Sequence, residues 1–405
     1  MSNDDLAMAL TSYDAVEVPA DASKVPDPAH LDIEALLTDR GVRTILCCGS
    51  GGVGKTTTAA ALALRAAENG RTVVVLTIDP AKRLAQSMGL EQLDNTPREV
   101  AGVDRSAGGR LDAMMLDMKR TFDDVVLSAS DRERAQQILD NPFYRSLSSS
   151  FAGTQEYMAM EKLGQLREGG EWDLIVVDTP PSRSALDFLD APKRLASFLD
   201  GRFIRLIGKP AKAGSRAYLK VFNVGMTAIT ATVSRLLGAT LLRDVQTFLS
   251  AFETMFGGFR DRAESTYALL GRPETAFLVL ATPERDALRE ASFFVDRLQQ
   301  EEMPLAGLVL NRVHPAPATS LSAERARELA STVEELLARE DEDVALTAGL
   351  LKMHASALER SAREERVARR FTAAHPDVAV ARAAAQPADV HDLAGLRGVS
   401  GSLVG

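Results

Sequence analysis

Four residues at fixed spacing carry the plainest chemistry in this chain. Gly49, Gly54, Lys55 and Thr56 satisfy G-x-x-x-x-G-K-[ST] within the run ILCCGSGGVGKTTTAAALAL, Ile45 to Leu64. Glycines let successive main-chain N–H groups turn inward on phosphate oxygens, and the start of the following helix adds favourable partial charge. The expected cradle is Gly49, Ser50, Gly51, Gly52, Val53, Gly54, Lys55, Thr56 and Thr57. In it Lys55 should bridge the β- and γ-phosphates, and the Thr56 hydroxyl should ligate Mg²⁺.

Two aspartates follow apolar runs that read as strands: Asp79 in LTIDPAKRL and Asp178 in VVDTPP. Open parallel sheets bind ligands at the carboxyl edge of their strands, so both acids should face the same nucleotide. Asp178 is expected to hold the Mg²⁺ shell, directly or through water. Asp79 is expected to orient or polarise the attacking water, because displacement at a γ-phosphate needs positioning and charge neutralisation above all. Asn311 opens Asn311-Arg312-Val313-His314 after a late strand. The N-K-x-D that GTPases use there would end in a carboxylate, and this run has none. An asparagine amide can both accept from and donate to the adenine edge, so ATP is favoured over GTP.

The elements that must hold these residues read as α/β. Arg43 to Cys48, residues 71–80, 172–181, 275–282 and 305–313 are apolar strand runs, and residues 111–118 offer another. Helical patterns alternate with them, beginning with Lys55 to Glu68, which stops at Asn69-Gly70. Continuous apolar strands between helices predict a doubly wound, mostly parallel sheet covered on both faces. Residues 119–170 and 192–270 break the alternation and predict an inserted helical subdomain. Two charged helices should follow residue 322, and residues 378–396 suggest a last strand, a turn and a helix. The expected division is an arm over 1–40, partly flexible, and a phosphate-loop domain over 41–405.

Composition narrows the partners. The 405 residues are 45% apolar and carry a net charge of −9, without a long basic block, which argues against nucleic acid. Cys47 and Cys48 are the two cysteines. As neighbours on a strand they point to opposite faces, which suits core packing rather than a shared metal. No run of membrane-spanning length and no basic, apolar leader is visible, so the expected location is cytoplasmic.

The segments GSGGVGKTTTAAALAL, DPAKRLAQSMGL, DTPPSRSALDFLDAP, ATPERDALREASFFVDRL and LNRV occur in the order seen in ArsA-type ATPases. That family includes the ATPase subunits of arsenite pumps and the cytosolic ATPases that target tail-anchored membrane proteins. The resemblance spans roughly residues 41–396. It implies a nucleotide switch acting as a dimer, with Asp79 in the first switch and Asp178 in the second. The second subunit would be identical or a related ATPase subunit, and the partner an apolar protein client or a membrane protein.

The chain also departs from that family. Where the family usually places a second lysine, which reaches a partner's phosphates, this chain has Ser50. A partner subunit could supply the charge, Lys82 or Arg183 could replace it, or hydrolysis could be slow. Metalloid-binding cysteines outside the first strand, the zinc CxxC and a second ATPase half are all absent from the sequence. Two other readings follow: an ATP-binding regulatory subunit with little hydrolysis, or a MinD/ParA-like positioning ATPase. The second would want a basic amphipathic tail, and GLRGVSGSLVG is short and weakly amphipathic. The apolar stripe Met226, Ile229, Val233, Leu236, Leu241, Val245, Phe248, Phe252 and Met255 suits either helix packing or a groove for a client helix.

Overall fold

The computed structural model describes residues 28–79, 83–129, 131–141, 144, 154–180, 264–336 and 342–404. The chain divides into two compact units. One comprises Met1–Met114, Glu171–Ala185 and Gly271–Gly405, and the other Met115–Gly170 and Leu186–Leu270. Its strands are β1 (Thr44–Gly49), β2 (Thr72–Thr77), β3 (Arg98–Glu99), β4 (Arg110–Met115), β5 (Leu174–Asp178), β6 (Thr275–Ala281), β7 (Leu305–Val313) and β8 (Val380–Ala384). The described helices are α1 (Ile33–Thr38), α2 (Lys55–Glu68), α3 (Arg83–Ser87), α4 (Met118–Ala129), α5 (Arg132–Leu139), α6 (Thr154–Gly169), α7 (Arg285–Gln300), α8 (Ala323–Leu336), α9 (Glu342–Ala374) and α10 (Leu393–Val404).

The strands form one sheet in the order β3-β4-β2-β5-β1-β6-β7-β8. The pairs β1–β5, β1–β6, β2–β5, β6–β7 and β7–β8 are parallel, and the edge pair β3–β4 is antiparallel. Every residue of β1, β5 and β6 is buried. That is why these strands read as unbroken apolar runs: helices cover both faces and no position alternates toward water. The expected α/β fold is therefore present. α2 is alanine-rich because it packs at close range; Ala59 through Leu64 are all buried, against β1, β2, β5 and α10.

Some elements were not visible in the sequence. β3 has two exposed residues, too few for a periodic signal. α1 lies in the stretch expected as an arm. It starts at an Asp32 cap, which accepts from the Ala35 N–H at 2.8 Å, and it buries Ile33 and Leu37, one turn apart. Leu31 N–H also donates to the Val380 carbonyl at 3.2 Å, beside the bridge between His30 and β8. α10 extends the expected last helix to Val404 and buries Leu396, Val399 and Leu403. The apolar residues of this tail pack on α2 and β8.

In the second unit α4 packs against α5 and α6. Phe122 and Tyr144 rings meet at 5.4 Å, and the Tyr144 hydroxyl donates to Asp123 at 2.5 Å. Gly164 on α6 leaves room for the Thr266 hydroxyl. Residues 181–263, including the apolar stripe, lie outside the described residues. No helix among the described residues is long and apolar enough to cross a membrane.

Arg71, just ahead of β2, is 1% exposed and ties the N-terminal turn to β5. Its guanidinium donates to the carbonyls of Leu37, Asp39, Val42 and Asp173 at 2.6–3.0 Å and to Asp173 Oδ1 at 3.0 Å. Removing it would take a donor from two buried acceptors, the Leu37 and Val42 carbonyls, whereas Asp173, 37% exposed, can be hydrated in its absence. Arg71→Met should lower the stability of this unit by roughly 3 kcal/mol, and Asp173→Asn by about 1 kcal/mol or less. Urea unfolding followed by the fluorescence of Trp172, the one tryptophan, measures both; equal losses would refute this ordering.

Candidate active site

The sheet order makes β2, β5 and β1 consecutive neighbours, so three strand ends converge. Register pairs Thr77 with Asp178 across β2–β5, and Cys47 with Asp178 across β1–β5. The glycine-rich loop leaves β1 at Gly49 and enters α2 at Lys55. Two of its glycines are required by space. A Cβ on Gly49 would collide with the Leu280 carbonyl of β6, and one on Gly54 would collide with Asn311 Nδ2. Gly54 is also left-handed, at φ 91°.

Lys55 folds back on the loop. Its Nζ donates to the Gly49 carbonyl at 2.9 Å and the Ser50 carbonyl at 2.8 Å. Burial lowers its pKa, and the Asp178 charge opposes that shift. Asp178 is fully buried. Its Oδ2 accepts from the hydroxyls of Thr56 and Thr77, each at 2.8 Å, while its Oδ1 has no hydrogen-bond partner. Desolvation pushes this carboxyl up to about 6, against the pull of the two hydroxyls and Lys55. A buried anionic oxygen without a donor is costly. A dication beside Thr56 would offset that cost, so the residues present fit Mg²⁺, which is commonly held by one or two protein oxygens together with phosphate and water.

Gly51, Gly52, Gly54, Lys55, Thr56, Thr57, Asp79 and Asn311 share the wall of one large cavity. Gly49, Ser50, Val53 and Asp178 are buried behind that wall. Asn311 donates from Nδ2 to the Val53 carbonyl at 2.8 Å and accepts at Oδ1 from Arg312 N–H at 2.9 Å. One N–H and one lone pair of its amide remain for another partner. Cys47 and Cys48 are buried free thiols; burial pushes Cys47 up and Cys48 up to about 12. Lys82 and Arg183, the candidate substitutes for a second lysine, lie outside the described residues.

The cavity wall also includes residues the sequence did not single out. Arg83, Gln86 and Ser87 come from α3, Thr179 follows β5, and Arg312 and His314 lie at and just beyond the end of β7. His314 is held by Glu364 of α9, which accepts from its N–H at 2.9 Å and meets its Nδ1 at 2.7 Å. Residues 384–391, leaving β8, close that side. The rule that parallel sheets bind at their carboxyl edge could have found this loop once the last strand was placed.

Comparison with known proteins agrees with this geometry. The profile of the ArsA_ATPase family, described as anion-transporting ATPase, matches residues 42–338. The chain is 28% identical to ATPase GET3 of Malassezia globosa over 180 residues, 44% of this chain and 51% of that protein, so it spans about half the length of that relative. It is 25% identical to ATPase get3 of Neurospora crassa over 276 residues, 67% of this chain and 76% of that protein. It is also 25% identical to ATPase ARSA2 of Chlamydomonas reinhardtii over 294 residues, 72% of this chain and 73% of that protein. With most of its length matched by the family profile, and its phosphate loop folded between β1 and α2, the chain belongs to the ArsA-type ATPase family.

Proposed function

We propose that this protein is an Mg²⁺-dependent, ATP-binding and ATP-hydrolysing switch. It acts as a dimer and couples turnover to a protein or membrane-associated partner. The observation that carries the reading is the Thr56–Asp178 pair: a hydroxyl at the cavity wall backed by a buried carboxylate with one unpartnered oxygen. Thr56 and Asp178 are the residues that would hold Mg²⁺. Bound there, the ion would supply a dication that offsets the negative charge of the phosphates.

The remaining roles belong to side chains of this protein. Lys55 gives up its loop carbonyls for phosphate oxygens without leaving the loop. Its partial burial strengthens that attraction, since charge pairs are screened less away from water. The loop N–H groups and the start of α2 bind the α- and β-phosphates. Asp79 holds the attacking water in line. Asn311 offers its free N–H and lone pair to the adenine edge. The dimer and the apolar client rest on family likeness. Ser50 carries no charge, so a low turnover is part of the proposal.

Calorimetry with ATP in magnesium buffer tests the reading, and a chain that binds no adenine nucleotide would end it. Lys55→Ala should weaken ATP binding by about 100-fold or more. Asp79→Asn should leave affinity within a few-fold but reduce turnover by roughly 10²- to 10⁴-fold in a phosphate-release assay; wild-type turnover in this variant would remove Asp79 from the chemistry. The buried acid predicts a pH effect on the metal-free protein. Its folded pKa of about 6 exceeds the ordinary 3.8, so the folded state holds that proton more tightly than the unfolded chain. Stability therefore falls as pH rises from about 4 to about 6 and stays reduced above. Asp178→Asn should melt higher than wild type in EDTA above pH 6, by the equivalent of roughly 3 kcal/mol, with the gap closing toward pH 4.

A further inference from the structure

The hydroxyl of Thr77 stands between the two acids of the site. β2 ends at Thr77, which register places directly beside Asp178 at the end of β5. Thr77 is 1% exposed. Its Oγ1 lies 2.8 Å from Asp178 Oδ2 and accepts from the Asp79 N–H at 3.2 Å. The other acceptor within its reach, the Asp79 carbonyl, is 3.5 Å away. A hydroxyl has one proton, and the shorter bond to the more basic oxygen takes it. The bonds thus run in one direction, from Asp79 N–H to Thr77 and from Thr77 to Asp178. Thr56 donates to the same Asp178 oxygen from the cavity side at 2.8 Å.

We propose that Thr77 is a positioning residue for ATP hydrolysis: its hydroxyl ties the Asp178 carboxylate to the main chain of Asp79, so that holding the metal and placing the Asp79 carboxylate are set together. This rests on the function proposed above. Two hydroxyls converging on Oδ2 fix the plane of the carboxylate and leave Oδ1 as the oxygen without a donor. A valine at 77 would fill the same space and suit the strand equally well. It would offer nothing to Asp178 or to the Asp79 N–H. A purely structural role predicts a small stability change and unchanged chemistry. The proposed role predicts a change in turnover and in the response to metal.

The test measures turnover and ADP affinity, in EDTA and in Mg²⁺, for wild type, Thr77→Val and Thr77→Ser. Thr77→Val should keep its ADP affinity in EDTA and its KM for ATP within about threefold, while kcat falls by roughly 10- to 100-fold. The gain in ADP affinity on adding Mg²⁺ should shrink in the same variant, and Thr77→Ser should restore both properties. A valine variant with wild-type kcat and metal response overturns the proposal, and so does a serine variant as impaired as valine. Failure of the wild type itself to bind ATP would instead refute the proposed function. If Thr77→Val does not fold, hydrogen exchange on the wild type decides. Mg²⁺ with ADP should protect the Asp79 amide more than ADP in EDTA does, and equal protection overturns the coupling.

Discussion

A carboxylate shut away from water at the end of the central strands sets terms for everything around it. Asp178 must be given donors, and the fold gives them from two directions. Thr77 comes from the neighbouring strand and Thr56 from the first turn of α2. Both require fixed geometry: β2 and β5 in one register, and α2 docked closely enough for its second residue to reach β5. The alanine-rich buried face of α2 permits that approach. The surrounding core, with β1, β5 and β6 wholly buried, keeps the strand ends from shifting. Packing in this unit is therefore inseparable from the electrostatics of its site.

The sequence disclosed what is local. The phosphate loop is one contiguous motif, and α2 begins and ends where its loop and its Asn-Gly stop place it. The inner strands announce themselves because burial on both faces removes every polar interruption. Thr77 was silent because its partner lies 101 residues away and only strand register joins them. The 384–391 wall was silent because its residues carry no motif and acquire meaning from the strand they follow. α1 is six residues long, and its acidic, proline-containing surroundings masked the Ile33–Leu37 pair. Asn311 was read as a contact to a base; its geometry adds a bond to the loop that no spacing rule would reveal.

Ser50 looks like a missing charge when read as a side chain. Its carbonyl contributes differently: together with that of Gly49, it holds the ammonium of Lys55 before any phosphate arrives. The lysine is thereby kept at the loop and partly desolvated, with the Asp178 charge favouring its protonated form. The helix α10 spends on α2 and β8 the apolar residues that a membrane-seeking segment would keep exposed.

The bond from Asn311 to Val53 spans 258 positions of sequence. A ribosome would deliver the loop well before β7, and the loop's final fastening waits for that strand. A shortened chain ending before residue 311 would carry the complete motif without that brace. Nucleotide can therefore act as a folding ligand for the braced loop only once β7 has joined the sheet.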